Sequence, residues 1–338
     1  MSNEVVLSVK NLSVVFHTPD GDVAAVSDVS FDLRSGETLG IVGESGSGKS
    51  VTASSIMRLN NSVTASTSGS ILISGVDILT ADESDVRRVR GSEVAMIFQD
   101  PLSALNPYYT VGKQIAEAYL VHHPLVSKSD ARAVTLEMLK KVGIPNPEKR
   151  IDEFPHQFSG GMRQRIVIAI ALINNPKVLI ADEPTTALDV TVQAQILDLM
   201  KELQAEFNMA IVLITHDLGV IAEAAKDVLV MYGGRVVERS TVEALFSEPT
   251  HPYAWGLLGA VNSLSSSGRG ALATIAGSPP SLIALPSGCS FNPRCSYASD
   301  ICRSEVPSLR PIGAQGSVAA CHLPDSEILT IGREVASR

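Results

Sequence analysis

Aromatic residues and long apolar runs are scarce in this chain of 338 residues. Aromatic side chains make up 4% of it, although hydrophobic residues as a whole make up 45%. The longest uninterrupted apolar stretch runs from Ile166 to Ile173, whereas a helix that crosses a bilayer needs about 20 such residues. The first ten residues contain Glu4 and lack the apolar segment of a secretory signal. We therefore expect a cytoplasmic chain that does not itself cross a membrane.

Positive charge is also in deficit. Lysine and arginine number 27 against 36 aspartates and glutamates, which gives a formal net charge of −9. Surfaces that bind nucleic acid are normally rich in Lys and Arg. The composition therefore argues against a nucleic-acid partner, and the length allows two or three modules.

Cysteine is absent from the first 288 residues and then occurs four times, at Cys289, Cys295, Cys302 and Cys321. Disulfides are rare in the reducing cytosol, and zinc sites favour closely spaced cysteine pairs, which are absent here. Iron–sulfur clusters also take four thiolates. The spacing leaves an iron–sulfur cluster, a zinc ion or no metal as alternatives. Nearby, Arg294 could donate hydrogen bonds to a sulfur, and we expect His322 to be a neighbour rather than a ligand.

A glycine-rich segment matches the phosphate-loop pattern G-x-x-x-x-G-K-[ST]. Its candidate nucleotide-binding residues are Gly43, Glu44, Ser45, Gly46, Ser47, Gly48, Lys49, Ser50 and Val51. An apolar strand pattern, 37–42, precedes the segment and a helical pattern, 50–59, follows it, which is the context that such a loop requires. Lys49 should reach the β- and γ-phosphates of ATP, and Ser50 should bind Mg²⁺. The segment therefore predicts an ATP site.

Two adjacent carboxylates follow the apolar strand pattern 178–181. Asp182 suits Mg²⁺ coordination, and Glu183 is placed to act as the general base that polarises the attacking water. Such a base is typically worth roughly 10²–10⁴-fold in rate. The alternative is that both acids cap the helix after Pro184.

Three further motifs, with five residues in all, gain meaning beside a nucleotide site. Ser159 and the glycines Gly160 and Gly161 precede an apolar helix, so they predict a second anion-binding helix end, supplied to the ATP of another subunit. An ordinary N-cap is the alternative. His216 ends the strand pattern 211–215, where open α/β sheets place ligands, and we interpret it as a γ-phosphate sensor. Gln99 follows another apolar run and could report phosphate and metal state.

Strand and helix patterns divide the chain into three parts. Strand patterns with helices between them fill 1–99 and 159–245, which we interpret as an ATPase core. Residues 100–158 have helical periodicity and predict a helical insertion. Residues 246–338 contain a Ser/Gly/Pro-rich linker, 263–286, and all four cysteines, which indicates a small appended module.

The ordered motifs resemble those of the nucleotide-binding subunit of ABC transporters over roughly residues 5 to 250. The matches are the phosphate loop 43–50, the Q-loop Gln99, the signature 159–161, the two carboxylates, the D-loop Asp189 and the switch His216. The resemblance implies an α/β fold: a P-loop ABC ATPase domain, with a mixed sheet core and an antiparallel β subdomain, a helical insertion and a small Cys-containing C-terminal module. Phe16 lies where the family has an adenine-stacking aromatic, although it could instead face the core.

Finer details resemble the oligopeptide/dipeptide importer branch. They are the segments 98–101, 105–107, 158–165, 181–191, 251–253 and 291–295. This resemblance implies an ATP-hydrolysing motor at the cytoplasmic face of the cell membrane, with peptides as cargo. Nickel or glutathione, the cargoes of other relatives in the branch, are alternatives.

The same resemblance implies partners and cofactors. The partners are two transmembrane permease subunits, a second, related but non-identical ATPase and, indirectly, an extracytoplasmic solute-binding protein. Each ATP, with its Mg²⁺, would lie between the phosphate loop of one ATPase and Ser159–Gly161 of the other. The resemblance of the cysteine region to the C-terminal region of this branch implies a 4Fe–4S cluster. A soluble ABC-type ATPase acting on DNA or ribosomes is the competing class, and a purely regulatory nucleotide-binding protein is a third.

Overall fold

The computed structural model describes residues 4–100, 104–186, 188–265, 275–313 and 316–337. Two motif residues, Pro101 and Ala187, and residues 266–274 of the predicted linker lie outside the described residues. The chain divides into two compact units. The helical unit consists of Met1–Ser8, Asp32–Glu37 and Ile71–Val212, and the glycine-loop unit consists of Val9–Phe31, Thr38–Ser70 and Leu213–Arg338.

Strands and helices follow one another mostly in groups along the described residues. The strands are β1 (Val5–Thr18), β2 (Gly21–Arg34), β3 (Thr38–Val42), β4 (Ala65–Ile73), β5 (Val76–Asp77), β6 (Val94–Ile97), β7 (Val178–Asp182), β8 (Ala210–Thr215), β9 (Asp227–Tyr232), β10 (Arg235–Thr241), β11 (Arg310–Ile312) and β12 (Ser317–Ala319). The helices are α1 (Lys49–Ile56), α2 (Glu83–Val89), α3 (Val111–His122), α4 (Lys128–Lys141), α5 (Pro147–Arg150), α6 (Gly160–Leu172), α7 (Val190–Phe207), α8 (Leu218–Ala224), α9 (Val242–Ser247), α10 (Pro252–Ser265), α11 (Asp300–Ser304) and α12 (Asp325–Ala336).

Helices α2 to α7 belong to the helical unit, together with the parallel pair β6 and β7. Side-chain caps set where these helices begin. Thr110 accepts a hydrogen bond from the Lys113 N–H at the start of α3, and Ser127 does the same for Asp130 at the start of α4. Helix α6 packs against β6, α3 and α7. Strand β7 is buried along its whole length, as expected of a parallel strand covered on both faces.

The glycine-loop unit contains a mixed set of paired strands. Strand β3 pairs with β9 in parallel, β9 pairs with β10 antiparallel, and β12 lies between β10 and β11 with antiparallel pairing to both. Strand β1 lies between β2 and β4 in a second sheet. The C-terminal helices α10 and α12 pack together around a small core of Trp255, Ile312, Ala319 and Ile328. Among the described residues of both units, no helix combines the length and the apolar character needed to cross a lipid bilayer.

Most predicted elements are present, several of them with different bounds: β2 begins at Gly21, well before the strand pattern at 29–33, and α1 ends at Ile56 rather than at residue 59. The patterns at 5–9 and 12–16 predict two strands, but the structure has the single strand β1, because Asn11 takes a φ of 49° inside it without ending it. The tail also contains α10, α11, β11, β12 and α12, which the sequence did not predict. The helix predicted after the glycine loop is present as α1. Within the helical periodicity of 100–158, the patterns at 110–120 and 129–142 predict two helices, which are present as α3 and α4.

Candidate functional site

The glycine-rich segment forms the turn between the buried strand β3 and helix α1. Gly43 has φ 155° and Gly48 has φ 100°, both in the region that side-chain-bearing residues avoid. A Cβ atom on Gly43 would lie 2.2 Å from the Met231 carbonyl oxygen, and one on Gly48 would lie 2.5 Å from the Ala25 carbonyl oxygen. Only glycine therefore permits this turn, which brings the loop close to its neighbouring backbone.

Lys49 lies inside the curve of the loop. Its ammonium donates to the carbonyl oxygens of Gly43 at 2.7 Å and Glu44 at 3.0 Å, and the residue is only 6% exposed. Among the predicted binding residues, Ser45, Gly46 and Ser50 are exposed, whereas Ser47 is buried. The loop therefore presents hydroxyl and backbone groups to solvent, and the Lys49 ammonium lies beneath them. This arrangement suits phosphate oxygens.

The other predicted residues of the glycine-loop unit occupy varied surroundings. Phe16 and Val51 are half-buried. His216 follows the last residue of β8 and is exposed. The next residue, Asp217, caps helix α8 by accepting from the Gly219 N–H at 2.7 Å. His216 therefore lies at the strand end where the sequence placed it.

Glu183 lies at the centre of a hydrogen-bonded group in the helical unit. Gln99 Nε2 donates to its Oε2 atom at 2.9 Å, and Thr186 Oγ1 donates to the same atom at 2.8 Å. Glu183 has φ 49°, a backbone conformation that costs energy for a residue other than glycine and that is concentrated at functional sites. Asp182, directly before it, is 5% exposed at the end of β7. The structure thus brings together Gln99 and Glu183, which are 84 positions apart.

The signature residues begin helix α6. Ser159 is its N-cap, and its Oγ atom accepts from the Met162 N–H at 3.4 Å. Both Ser159 and Gly160 are exposed. Gly161 instead faces α7, because a Cβ atom there would lie 2.7 Å from the Val192 side chain. The predicted exposed helix end is therefore present, while Gly161 also allows close helix packing.

Asp189 caps the next helix of the unit. Its Oδ1 atom accepts from the N–H groups of Thr191 at 3.1 Å and Val192 at 3.0 Å, at the start of α7. The residue is exposed. In the single chain, Asp189 therefore stabilises the start of α7 as its N-cap.

Sequence reasoning missed three residues that contact the predicted sites. Thr186 orients the Glu183 carboxylate, and its only sequence signal was its place in the segment 181–191. Arg294 and Tyr253 both contact Glu44 of the glycine loop. The expectation that Arg294 donates to a cysteine sulfur is wrong, because its N–H groups are engaged by Glu44, Tyr232 and two carbonyl oxygens.

The four cysteines share one neighbourhood but do not form a ready metal site. The Cys289 N–H donates to the Cys302 carbonyl oxygen at 2.9 Å, and a ring nitrogen of His322 lies 3.0 Å from the Glu305 carbonyl oxygen. Burial raises the pKa of the Cys295 thiol to about 11, with a further rise from the other three cysteines. In the described ranges, no three or more His, Cys, Asp or Glu side chains are placed to hold a metal ion.

Two family models match this chain. One, described as ABC transporter, matches residues 26–186, and the other, described as oligopeptide/dipeptide transporter, C-terminal region, matches residues 237–302. Among solved structures, a dimeric post-hydrolysis ATP-binding cassette bound to ADP and Pi is 27% identical, with a TM-score of 0.63 over 70% of this chain and 98% of that one. The fold is therefore that of an ABC ATPase.

Curated relatives extend the match to nearly the whole chain. The oligopeptide transport ATP-binding protein OppD of Escherichia coli is 50% identical over 96% of this chain and 95% of its own length. The dipeptide transport ATP-binding protein DppD of Bacillus subtilis is 51% identical over 95% of this chain and 96% of its own. This chain belongs to the ABC transporter family, in the group of ATP-binding subunits that includes these relatives.

Proposed function

We propose that this chain is the ATP-hydrolysing motor of an importer for oligopeptides or dipeptides, acting at the cytoplasmic face of the cell membrane. The observation that carries the proposal is the identity of about 50% to oligopeptide and dipeptide transport ATP-binding proteins over nearly the whole chain. The match at 237–302 supports it independently, because that family model describes the C-terminal region of such transporters.

In the proposed reaction, Glu183 accepts the proton of the water that attacks the γ-phosphate. Its orientation supports the role, because Gln99 and Thr186 both donate to one oxygen of its carboxylate. The residues 43–51 bind the phosphates, with the Lys49 ammonium on the β- and γ-phosphates, and His216 senses the γ-phosphate. Phe16 stacks on the adenine.

The chemistry of the side chains also fits Mg²⁺, which takes oxygen ligands. Ser50, Gln99 and Asp182 would supply hydroxyl, amide and carboxylate oxygens to it. The ion would neutralise charge on the phosphate oxygens.

The proposed motor contains two ATPase subunits. Ser159, Gly160 and Gly161 of one subunit would cover the ATP that is bound to the phosphate loop of the other, with Asp189 near the same contact. The exposed, capped start of α6 supports this, because a helix N-terminus favours an anion. The dimeric form of the similar cassette supports it too. The second ATPase is a related, non-identical chain.

A groove in the helical unit suits a permease segment. It has a volume of about 710 Å³ and lies between α3, α4 and residues 151–152. Its walls combine apolar side chains with charges such as Lys113 and the ion pair of Arg132 with Asp152, at 2.7 Å. We assign it to a cytoplasmic segment of one of the two transmembrane permease subunits. The extracytoplasmic solute-binding protein would deliver cargo to the permeases.

A 4Fe–4S cluster on the four cysteines remains a separate proposal. It is supported by their common neighbourhood, in which the Cys289 N–H donates to the Cys302 carbonyl oxygen. Burial raises the pKa of the Cys289, Cys295 and Cys321 thiols, so their deprotonation would require a bound cation. The ligands would be Cys289, Cys295, Cys302 and Cys321. We expect iron in protein purified without oxygen and its loss in Cys295→Ser; an iron-free wild type would refute the cluster.

An uptake assay tests the proposed function. Cells that lack the native copy would receive the wild type, Glu183→Gln or the matched control Glu202→Gln, which alters an exposed glutamate on α7. We expect uptake of labelled di- and oligopeptides with the wild type and the control, but not with Glu183→Gln.

The competing functions predict different results in the same cells. Uptake of labelled nickel or glutathione, without peptide uptake, would replace the proposed cargo. Co-purification from solubilised membranes should recover two permeases and a second ATPase. Recovery of ribosomal or DNA-bound proteins instead, with no membrane partner, would refute a transport role.

A further inference from the structure

Arg294, in the C-terminal module, forms an ion pair with Glu44 of the phosphate loop. Its Nη1 atom lies 2.6 Å from Glu44 Oε2 and its Nη2 atom lies 3.1 Å from Glu44 Oε1, so the pair is bidentate. The Arg294 side chain is 5% exposed and that of Glu44 is 26% exposed. Both residues belong to the glycine-loop unit, although 250 positions separate them in the sequence.

All five N–H donors of the Arg294 guanidinium have an acceptor. Besides the two bonds to Glu44, Nη1 donates to the Tyr232 hydroxyl at 3.3 Å, Nε donates to the Ala276 carbonyl oxygen at 2.9 Å, and Nη2 donates to the Ile275 carbonyl oxygen at 3.2 Å. A lysine could not replace this planar fork, because its ammonium has three donors on a single nitrogen. Arg294 is therefore fixed at every donor, and it fixes Glu44 in turn.

Tyr253 holds the backbone of the same loop residue. Its hydroxyl accepts the Glu44 N–H at 2.7 Å, and its ring is fully buried against Tyr232 and Phe291, with ring centroids 4.6 Å and 5.5 Å away. The Glu44 N–H is thus directed towards Tyr253. Side chain and backbone of one loop residue are both anchored by the region after residue 245.

These contacts bear on ATP because Glu44 is a negative charge within a loop that binds an anion. An unpaired carboxylate there would repel the triphosphate. A bidentate arginine neutralises that charge and removes its freedom to rotate. The loop is also held ready before ATP arrives, so less conformational freedom is lost on binding.

We propose that Arg294 and Tyr253 are positioning residues for ATP: they hold Glu44, and with it the phosphate loop, in the conformation that binds the triphosphate. The C-terminal module thereby sets the affinity of the ATPase for its nucleotide. This inference rests on the proposed binding of ATP by the phosphate loop, and it adds residues outside residues 5–250 to the nucleotide site.

The test compares Arg294→Met and Arg294→Lys with a matched control, Arg310→Met. Arg310 belongs to the same module and has a similar network, with Asp325 and the carbonyl oxygens of Cys321 and Leu323. None of these three partners belongs to the phosphate loop. For each variant, ATP turnover is measured against ATP concentration, and a fluorescent ATP analogue is titrated.

We expect Arg294→Met to raise KM for ATP and Kd for the analogue about 10-fold, with kcat within about 2-fold of the wild type. Arg294→Lys should have KM and Kd values between those of Arg294→Met and the wild type. Arg310→Met should match the wild type in both constants. Tyr253→Phe should raise KM about 5-fold, since it loses a single hydrogen bond. A Glu44→Gln, Arg294→Met double variant should be no worse than the poorer single variant, because the two residues act as a pair.

An unchanged Kd in folded Arg294→Met would overturn the inference. Equal increases in Arg294→Met and Arg310→Met would overturn it too, because loosening of the whole module would then be the cause. If Arg294→Met does not fold, the Kd values of Arg294→Lys and Tyr253→Phe replace it in the test. Unchanged Kd values in both would overturn the inference. Failure of the wild type itself to bind the analogue would refute the proposed ATP site, which is a separate result.

Discussion

Replacing Glu238 by Gln should remove a fall in stability that we expect of the wild type as the pH rises above 6.5. Glu238, on β10, is completely buried, and burial raises its pKa to about 8. Its Oε2 atom accepts the Thr250 N–H at 3.0 Å, while Oε1 has no hydrogen-bond partner among the described residues. Glutamine imitates the neutral, protonated form of this side chain and does not titrate.

The magnitude follows from the difference between the folded and unfolded pKa values. The pKa of the unfolded side chain is near its ordinary value of 4.5. Between that value and about 8, the folded protein keeps a proton that the unfolded chain releases, so each pH unit lowers the free energy of unfolding by about 1.4 kcal/mol. The stabilisation is fully present below the unfolded pKa and is lost as the pH rises through the folded one.

A buried histidine limits the useful window. Burial lowers the pKa of His251 to about 3, from an ordinary value of 6.5. Below pH 6.5 the unfolded chain therefore takes up a proton that the folded protein refuses, which lowers stability as the pH falls. Of the two residues, only Glu238 makes stability depend on pH between 6.5 and 8. Over these 1.5 pH units the free energy of unfolding falls by about 2 kcal/mol.

Urea unfolding at pH 6.5, 7.2 and 8 measures this difference. The control is Glu243→Gln, which changes an exposed residue at the start of α9. From pH 6.5 to 8, the free energy of unfolding should fall by about 2 kcal/mol more in the wild type and in this control than in Glu238→Gln. Contributions from other titrating groups cancel in the comparison. Parallel pH curves for the wild type and Glu238→Gln would refute the reasoning, because they would mean that Glu238 ionises in the folded protein without cost.

Three other substitutions test the candidate site and the small core around Trp255. Glu183→Gln should reduce ATP turnover at least about 100-fold while a fluorescent ATP analogue still binds; near-normal turnover would disprove the base assignment. Thr186→Val should reduce kcat about 5-fold with KM unchanged, because one donor to Glu183 is lost; an unaltered kcat would show that Gln99 suffices. Trp255→Ala should lower the free energy of unfolding by about 3–5 kcal/mol, since Trp255 is buried in the small core and donates to the Pro249 carbonyl oxygen; a loss below 1 kcal/mol in urea unfolding would contradict that.

Local features explain what could be predicted from the sequence. The glycine loop could be placed because a strand pattern, a fixed glycine spacing and a helix pattern lie side by side. Helices α3 and α4 could be placed because apolar periodicity extends over them. The fully buried strands β7 and β8 appear as continuous apolar runs, which is typical of parallel strands.

What could not be predicted depends on contacts between distant parts of the chain. Nothing near Arg294 in the sequence indicates Glu44 as its partner, and the neighbouring cysteines suggested a sulfur instead. The φ of Glu183 and the hydrogen bond from Thr186 arise only when the turn after β7 is folded. The three-residue strands β11 and β12 are too short to show a periodicity.

The pairing of β12 with β10 has a consequence for how the protein behaves in solution. Glu238 and Arg239 of β10 lie opposite Ala319 and Val318, so β12 covers an edge that would otherwise offer unpaired backbone groups to other chains. The next strand, β11, contains Pro311, which has no N–H to donate to a further strand. A chain shortened to residues 1–245 would expose β10, and we expect it to aggregate at concentrations at which the whole protein stays dispersed.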